Sequence, residues 1–216
     1  MSTQEIAETR ERVLLAAGQE FAAKGFKDAT VREICQRARV NVAAVNYHFG
    51  DKERLYIESV KRAHGSRAEE VPLPVWPPGI SPDRKLRDFI RTLLERILRD
   101  PEREWHAQLM LREMSQPTTA CVELVREYIR PHFQVLLGIF GELLPAHVPM
   151  AKRHLLAFSV IGQCIHYHVA RPVVQLLVPP DEYQAYTPQF LAEHILQTTL
   201  SAINALDAAA AEGAHA

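Results

Sequence analysis

Apolar residues recur at helical spacing along almost the whole chain. Val13, Ala17 and Phe21 repeat every four positions with Leu14 beside them, one stripe on a helix that should end near Gly25. Thr30 and Glu33 have the spacing of a capping box. Behind them Val31, Ile34, Cys35 and Ala38 predict a short second helix. Asn41 can cap a third helix, with Val42, Val45 and Phe49 expected to face inward and Gly50 to end it. Asp51 then caps a long fourth helix to about Glu70.

The stretch from Val71 to Pro82 holds five prolines in twelve residues, which excludes a helix and predicts a linker or an ordered loop. Five more helices follow in the pattern: Asp83–Arg99, Glu102–Ser115, Thr118–Leu144, Met150–Ala170 and Pro188–Ala210. Pro131 should kink or split the third of these. Val173–Val178 is the only candidate strand, and Ala208 to Ala216 should fray. The fold class is therefore all-α.

Composition changes this picture little. The 216 residues are 47% apolar with net charge −1, enough for a core and too neutral for a strong overall field. The distribution says more. Lys24 to Arg62 carries nine Lys/Arg against five Asp/Glu, while Gly65 to Ala216 carries fourteen against seventeen. A basic N-terminal segment on a mildly acidic body points to an anionic partner at that end. Cys35, Cys121 and Cys164 are distant and odd in number, as expected of a reducing cytoplasm. Charges throughout the first twenty residues argue against a signal peptide. The uncharged run His154–Ala170 is too short and too polar to span a bilayer, so no membrane partner is expected.

Two short helices joined near Arg39–Val40, with a long helix before them, form the helix-turn-helix layout, whose second helix enters the major groove. Here that helix has no Lys or Arg. Ala43 and Ala44 are small enough to let the backbone approach base edges. Asn46 can offer a donor and an acceptor to adenine. Tyr47 and His48 can donate to phosphates, and Thr30 and Asn41 sit at helix N-termini. Full charge comes from Arg32 and Lys52 on the adjacent helices.

The segment Thr9 to Tyr56 resembles the N-terminal DNA-binding segment of TetR-family transcriptional regulators. Ala16, Ala17, Phe21, Gly25, Thr30, Ile34, Ala38, Val40, Val45, Phe49, Lys52 and Leu55 fall on that pattern. "NVAAVNYHFGDKE", and "LREMSQPTTACVELVREYIRPHFQVL" from Leu111 to Leu136, are similar to the subgroup with a CecR/CerR-type C-terminal domain. Asn46 stands where many members have Tyr, and Ala43 where many have Gly, so the base preference of relatives does not carry over. The resemblance implies a helix-turn-helix domain over 1–50 and a C-terminal helical domain over 51–216 for effector binding and dimerisation. It further implies a homodimer, usually a repressor, on a double-stranded DNA operator and released by a small-molecule effector.

Candidate effector contacts are Trp105, Met110, Arg112, Met114, Cys121, Tyr128, His132, Gln163 and His166, although most aromatic and methionine positions also read as core. His166 and His168 point about 200° apart on a helix and do not make a metal pair. No glycine-rich phosphate loop, GxSxG elbow or HExxH occurs, so neither catalysis nor a cofactor is expected. The rival reading is a helical ligand- or partner-binding protein whose helix-turn-helix is only structural.

Overall fold

Val13, Leu14, Ala17 and Phe21, the first stripe of the sequence, are all buried. They lie on α1 (Thr3–Asp28), which Gly25 bends near its end by adopting φ 81°, a conformation open to glycine at no steric cost. The structure is a computed structural model and describes residues 3–98 and 104–213. Every regular element among the described residues is helical. None of these helices is long and apolar enough to cross a membrane.

After α1 come α2 (Val31–Ala38), α3 (Val42–Phe49), α4 (Lys52–Glu70), α5 (Pro82–Leu98), α6 (Glu104–Ser115) and α7 (Thr119–Leu124). A π-helical turn (Val125–Ile129) leads into α8 (Arg130–Leu143), followed by α9 (Met150–Val169), α10 (Arg171–Leu177), α11 (Pro180–Gln184) and α12 (Pro188–Gly213). The chain forms two units, Met1–Glu70 with Asp100–Arg130 and Val71–Arg99 with Pro131–Ala216. The unit that holds α3 thus extends beyond residue 50.

In the first unit α1 packs on α2, α4 and α6, and α4 also packs on α7. Phe21, Ile34, Leu55, Leu109 and Leu124 are fully enclosed. Each such side chain contributes about 1.5–3 kcal/mol by leaving water. The Trp105 ring lies directly against Gly18, where any side chain on α1 would collide with it.

In the second unit α5, α9 and α12 pack together. Leu86, Ile90, Leu94, Leu136, Phe140, Ile195 and Leu196 fill its core. The proline-rich stretch is an ordered loop: Leu73 and Trp76 pack on this core, and Trp76 Nε1 donates to Asp88 (3.3 Å). Lys85 pairs with Glu142 (2.7 Å) and Arg87 with Glu193 (2.9 Å) on the rim.

Three expectations change. Val173–Val178 is not a strand, because residues 171–177 form α10 with a proline in its first turn, where the missing N–H costs nothing. The expected break at Pro131 takes the form of the π turn before it. In a regular helix the Pro131 ring would strike the carbonyl of Glu127. The wide turn avoids this, with the Arg130 N–H reaching five residues back to the Val125 carbonyl. Finally α12 runs to Gly213, past the Ala210 at which the pattern ends it; residues 214–216 lie outside the described part.

Candidate nucleic-acid interface

α2 and α3 are built by their caps. At the start of α2 the Thr30 hydroxyl accepts from the Glu33 N–H (3.3 Å), and Glu33 Oε2 accepts from the Thr30 N–H (3.1 Å) and hydroxyl (2.7 Å). The capping box consumes the polar atoms of Thr30, so the helix's open N–H groups are those of Val31 and Arg32. Arg32 itself is exposed and forms no ion pair among the described residues. At the other end of α2, Arg39 turns left-handed (φ 55°, ψ 49°) and its N–H closes on Cys35 and Gln36. This residue makes the turn of the helix-turn-helix.

Asn41 opens α3 by accepting from the Ala44 N–H at 3.0 Å. Gly50, at φ 83°, closes it with a bond to the Asn46 carbonyl (3.0 Å). Val45 (1% exposed) and Phe49 (6%) anchor the helix in the first core. Ala43, Asn46 and Tyr47 face solvent, Tyr47 at 73% exposure, while Ala44 and His48 are half-buried. The rings of Tyr47 and His48 meet edge to face at 5.0 Å. Val42 does not face inward as expected: it is 48% exposed at the first position of the helix, where no neighbouring element covers it. It joins the open face and adds an apolar contact suited to a thymine methyl.

Charge around this face is sorted by ion pairing. Lys24 bonds Glu33 (2.8 Å) and Glu20 (3.0 Å), and Arg37 bonds Glu20 (2.6 Å). Lys24 and then Thr30 hold the Glu33 carboxyl down to about 2. These basic groups are neutralised within the fold. Lys52 is held differently, with its ammonium 3.2 Å from the Lys27 carbonyl and 4.9 Å over the Phe26 ring. It keeps its net charge beside α3, since a carbonyl and a ring face leave it unneutralised.

The nine candidate effector residues divide between the units. Trp105, Met110 and Tyr128 pack on the first core. Arg112 spends Nε on the Ala22 carbonyl (2.6 Å) and Nη2 on that of Ala23 (2.8 Å), capping the last turn of α1 before Gly25. Met114 is exposed and Cys121 half-buried. In the second unit His132 Nε2 lies 2.9 Å from Arg96, Gln163 donates to the Ser159 carbonyl (3.3 Å), and His166 is exposed. No group of three or more His, Cys, Asp or Glu among the described residues could hold a metal ion. Two features escape the sequence pattern: the exposure of Val42 and the partly buried Arg96.

A capped, uncharged helix held at its inner face by two core side chains, behind a left-handed turn, is the second helix of a helix-turn-helix motif. Family comparison agrees at both ends of the chain. Residues 13–58 match the bacterial regulatory proteins of the tetR family, and residues 82–206 match the C-terminal domain of the HTH-type transcriptional dual regulator CecR. The chain belongs to the TetR family of DNA-binding transcriptional regulators, with a CecR-type C-terminal domain.

The repressor BepR of Brucella suis is 40% identical over 65 residues, 30% of this chain and 31% of BepR. The repressor NicS of Pseudomonas putida is 28% identical over 102 residues, 46% of each chain. The chain thus spans about a third to a half of the length of these two curated relatives. The dual regulator CecR of Shigella flexneri matches more extensively, at 22% identity over 179 residues, 78% of this chain and 79% of CecR. Among solved structures, a tetR-family regulatory protein from Rhodococcus RHA1 shares the fold with a TM-score of 0.65 at 17% identity, over 94% of this chain and 98% of that one.

Proposed function

We propose that this regulator acts as a homodimeric repressor that binds a pseudo-palindromic operator and leaves it when a small molecule binds the C-terminal helices. The observation that carries the DNA-facing part is the two-sided α3: Val45 and Phe49 are buried while Val42, Ala43, Asn46 and Tyr47 are open. Asn46 reads a base edge, Val42 and Ala43 meet thymine methyls, and Ala44 lets the backbone come close. Tyr47, His48 and Arg32 hold phosphates beside the N-terminal turns that Thr30 and Asn41 cap, and Lys52 supplies charge.

Pairing through α9 and α12 is supported by their open apolar side chains, Leu155, Phe158 and Val169 on one and Phe190 on the other. Binding to successive major grooves requires the two α3 helices of such a dimer to lie about 34–36 Å apart, or at a related spacing. Release needs a ligand that binds the DNA-free form more tightly than the DNA-bound form. The relatives BepR and NicS are both repressors, which favours that sign of regulation.

The test is fluorescence anisotropy of the full chain on DNA from upstream of its own gene, with the mass of the complex measured in parallel. Sequence-selective, salt-dependent binding by two chains is expected. Binding that is indifferent to sequence, or absent, overturns the reading and favours a helical protein whose helix-turn-helix is structural.

A further inference from the structure

Arg96 differs from the other partly buried basic residues of α5; Arg84, also without an ion pair among the described residues, is exposed. Lys85 and Arg87 have Glu142 and Glu193, and Arg91 has Asp88 and Glu95 within ion-pair distance. Arg96 is partly buried and has no carboxylate partner among the described residues. Its Nε donates to the Val71 carbonyl (2.7 Å), and its Nη1 donates to His132 Nε2 on α8 (2.9 Å). Arginine only donates, so His132 must accept here, with its ring proton on Nδ1. Both partners are therefore uncharged at the atoms that meet the guanidinium. Burial lowers the pKa of Arg96 from its ordinary value, yet the group stays a cation at physiological pH.

A partly buried cation met only by neutral acceptors is costly to hold, and an anion offsets that cost. The donors at Nη2 have no partner among the described residues. Val71 and His132 fix the plane of the guanidinium from two other elements, so the Nη2 hydrogens are oriented in advance for an anionic oxygen. Apolar side chains lie near it in the chain, beside Glu95, which pairs with Arg91. Leu93 precedes Arg96 by one helical turn, Ile97 follows it, and Phe133 follows His132, all partly buried against the second core.

We propose that Arg96, oriented by His132 and the Val71 carbonyl, anchors the carboxylate or phosphate head of an organic ligand whose apolar part runs along Leu93, Ile97 and Phe133. This rests on the reading of the C-terminal helices as effector-binding and gives that effector a chemical class. The same bonds in a purely structural role would only staple the proline-rich loop to α5. That role is blind to the charge of a small molecule, which separates the two.

The experiment is calorimetric titration of the full-length protein with sodium octanoate, octyl phosphate and octanamide, with thermal unfolding alongside. The anion should bind the unmodified protein about tenfold or more tightly than the amide. Arg96→Gln should remove the preference, and Arg96→Lys should keep most of it. A preference for octyl phosphate over octanoate identifies a phosphate head, and the reverse a carboxylate. Equal affinity for octanoate and octanamide, or no binding of either anion, overturns the proposal without reference to any variant. So does a preference that survives Arg96→Gln.

Anisotropy on operator DNA with the same compounds separates this site from the wider reading. Charge-selective binding that leaves DNA bound supports the site and overturns its effector role. Release by compounds that ignore the charge at Arg96 supports the effector role and overturns the site.

Discussion

The phenol of Tyr56 donates a 2.6 Å hydrogen bond to the buried carboxylate of Glu113, joining α4 to α6. Burial first, and the bond to Glu113 second, raise the pKa of the phenol, so it remains a donor. Glu113 also accepts from the Thr118 N–H (2.6 Å) and hydroxyl (2.9 Å), which fixes the N-cap of α7. Tyr56→Phe removes one bond from a carboxylate that has no solvent to replace it. It should cost about 1–3 kcal/mol in chemical denaturation. Glu113→Ala should cost more, because it leaves both the phenol and the Thr118 N–H unpaired. A Tyr56→Phe protein as stable as the parent would show that the bond contributes nothing net.

Gly18 and Trp105 set the closest approach of α1 and α6. A methyl at residue 18 would overlap the indole ring. Gly18→Ala gains helix propensity of up to about 1 kcal/mol, yet overpacking a filled interface costs typically about 1–3 kcal/mol. The expected outcome is net destabilisation with altered Trp105 fluorescence. Gly18→Ala with Trp105→Phe should recover part of the loss, and a lack of coupling in that double-mutant cycle would rule out the contact as the cause.

The capping and core logic of the first unit was legible because it is local. Thr30 and Glu33 lie three residues apart, and Phe21, Val45 and Phe49 repeat on their helices, so spacing alone assigns them. Val42 misled because periodicity gives a face but not whether anything covers it; the first turn of α3 lies open. Residues 173–178 misled because a short β-branched run reads as a strand, whereas no neighbouring strand exists among the described residues to pair its backbone. Arg112 is expected among the effector contacts and Arg96 is not singled out, because spacing marks neither role. Their partners are the carbonyls of Ala22, Ala23 and Val71, positions that side-chain chemistry does not mark.

Glu33 gives the reading domain a defined acid sensitivity. Lys24 and the Thr30 cap hold its pKa at about 2, below an ordinary value of 4.5. A carboxyl depressed by folding stabilises above its ordinary pKa, and that contribution disappears as pH falls from 4.5 toward 2. The unmodified protein should therefore lose stability in this window more steeply than Glu33→Gln does. Because the group is solvent-exposed, the difference should shrink in high salt. Acid titrations of the two proteins by circular dichroism at low and high salt check this, and parallel curves would remove Glu33 as the cause.

In the proposed DNA complex Asn46 and Lys52 separate choice of sequence from strength of binding. Asn46 is exposed on α3 and can bond a base edge, whereas Lys52 sits at the start of α4 with a charge that no carboxylate among the described residues neutralises. Asn46→Ala should weaken the best operator by about 1–3 kcal/mol and leave non-operator DNA nearly unaffected. Lys52→Gln should weaken both alike and reduce the slope of log affinity against log salt by about one. Tyr47→Ala should lower affinity with little change in stability, since its ring is open to solvent and the core anchors are Val45 and Phe49. Anisotropy titrations across a salt series, on operator and scrambled DNA, distinguish these outcomes. If Lys52→Gln altered only the operator complex, the ammonium would be reading sequence, and the division of labour between α3 and α4 would have to be reversed.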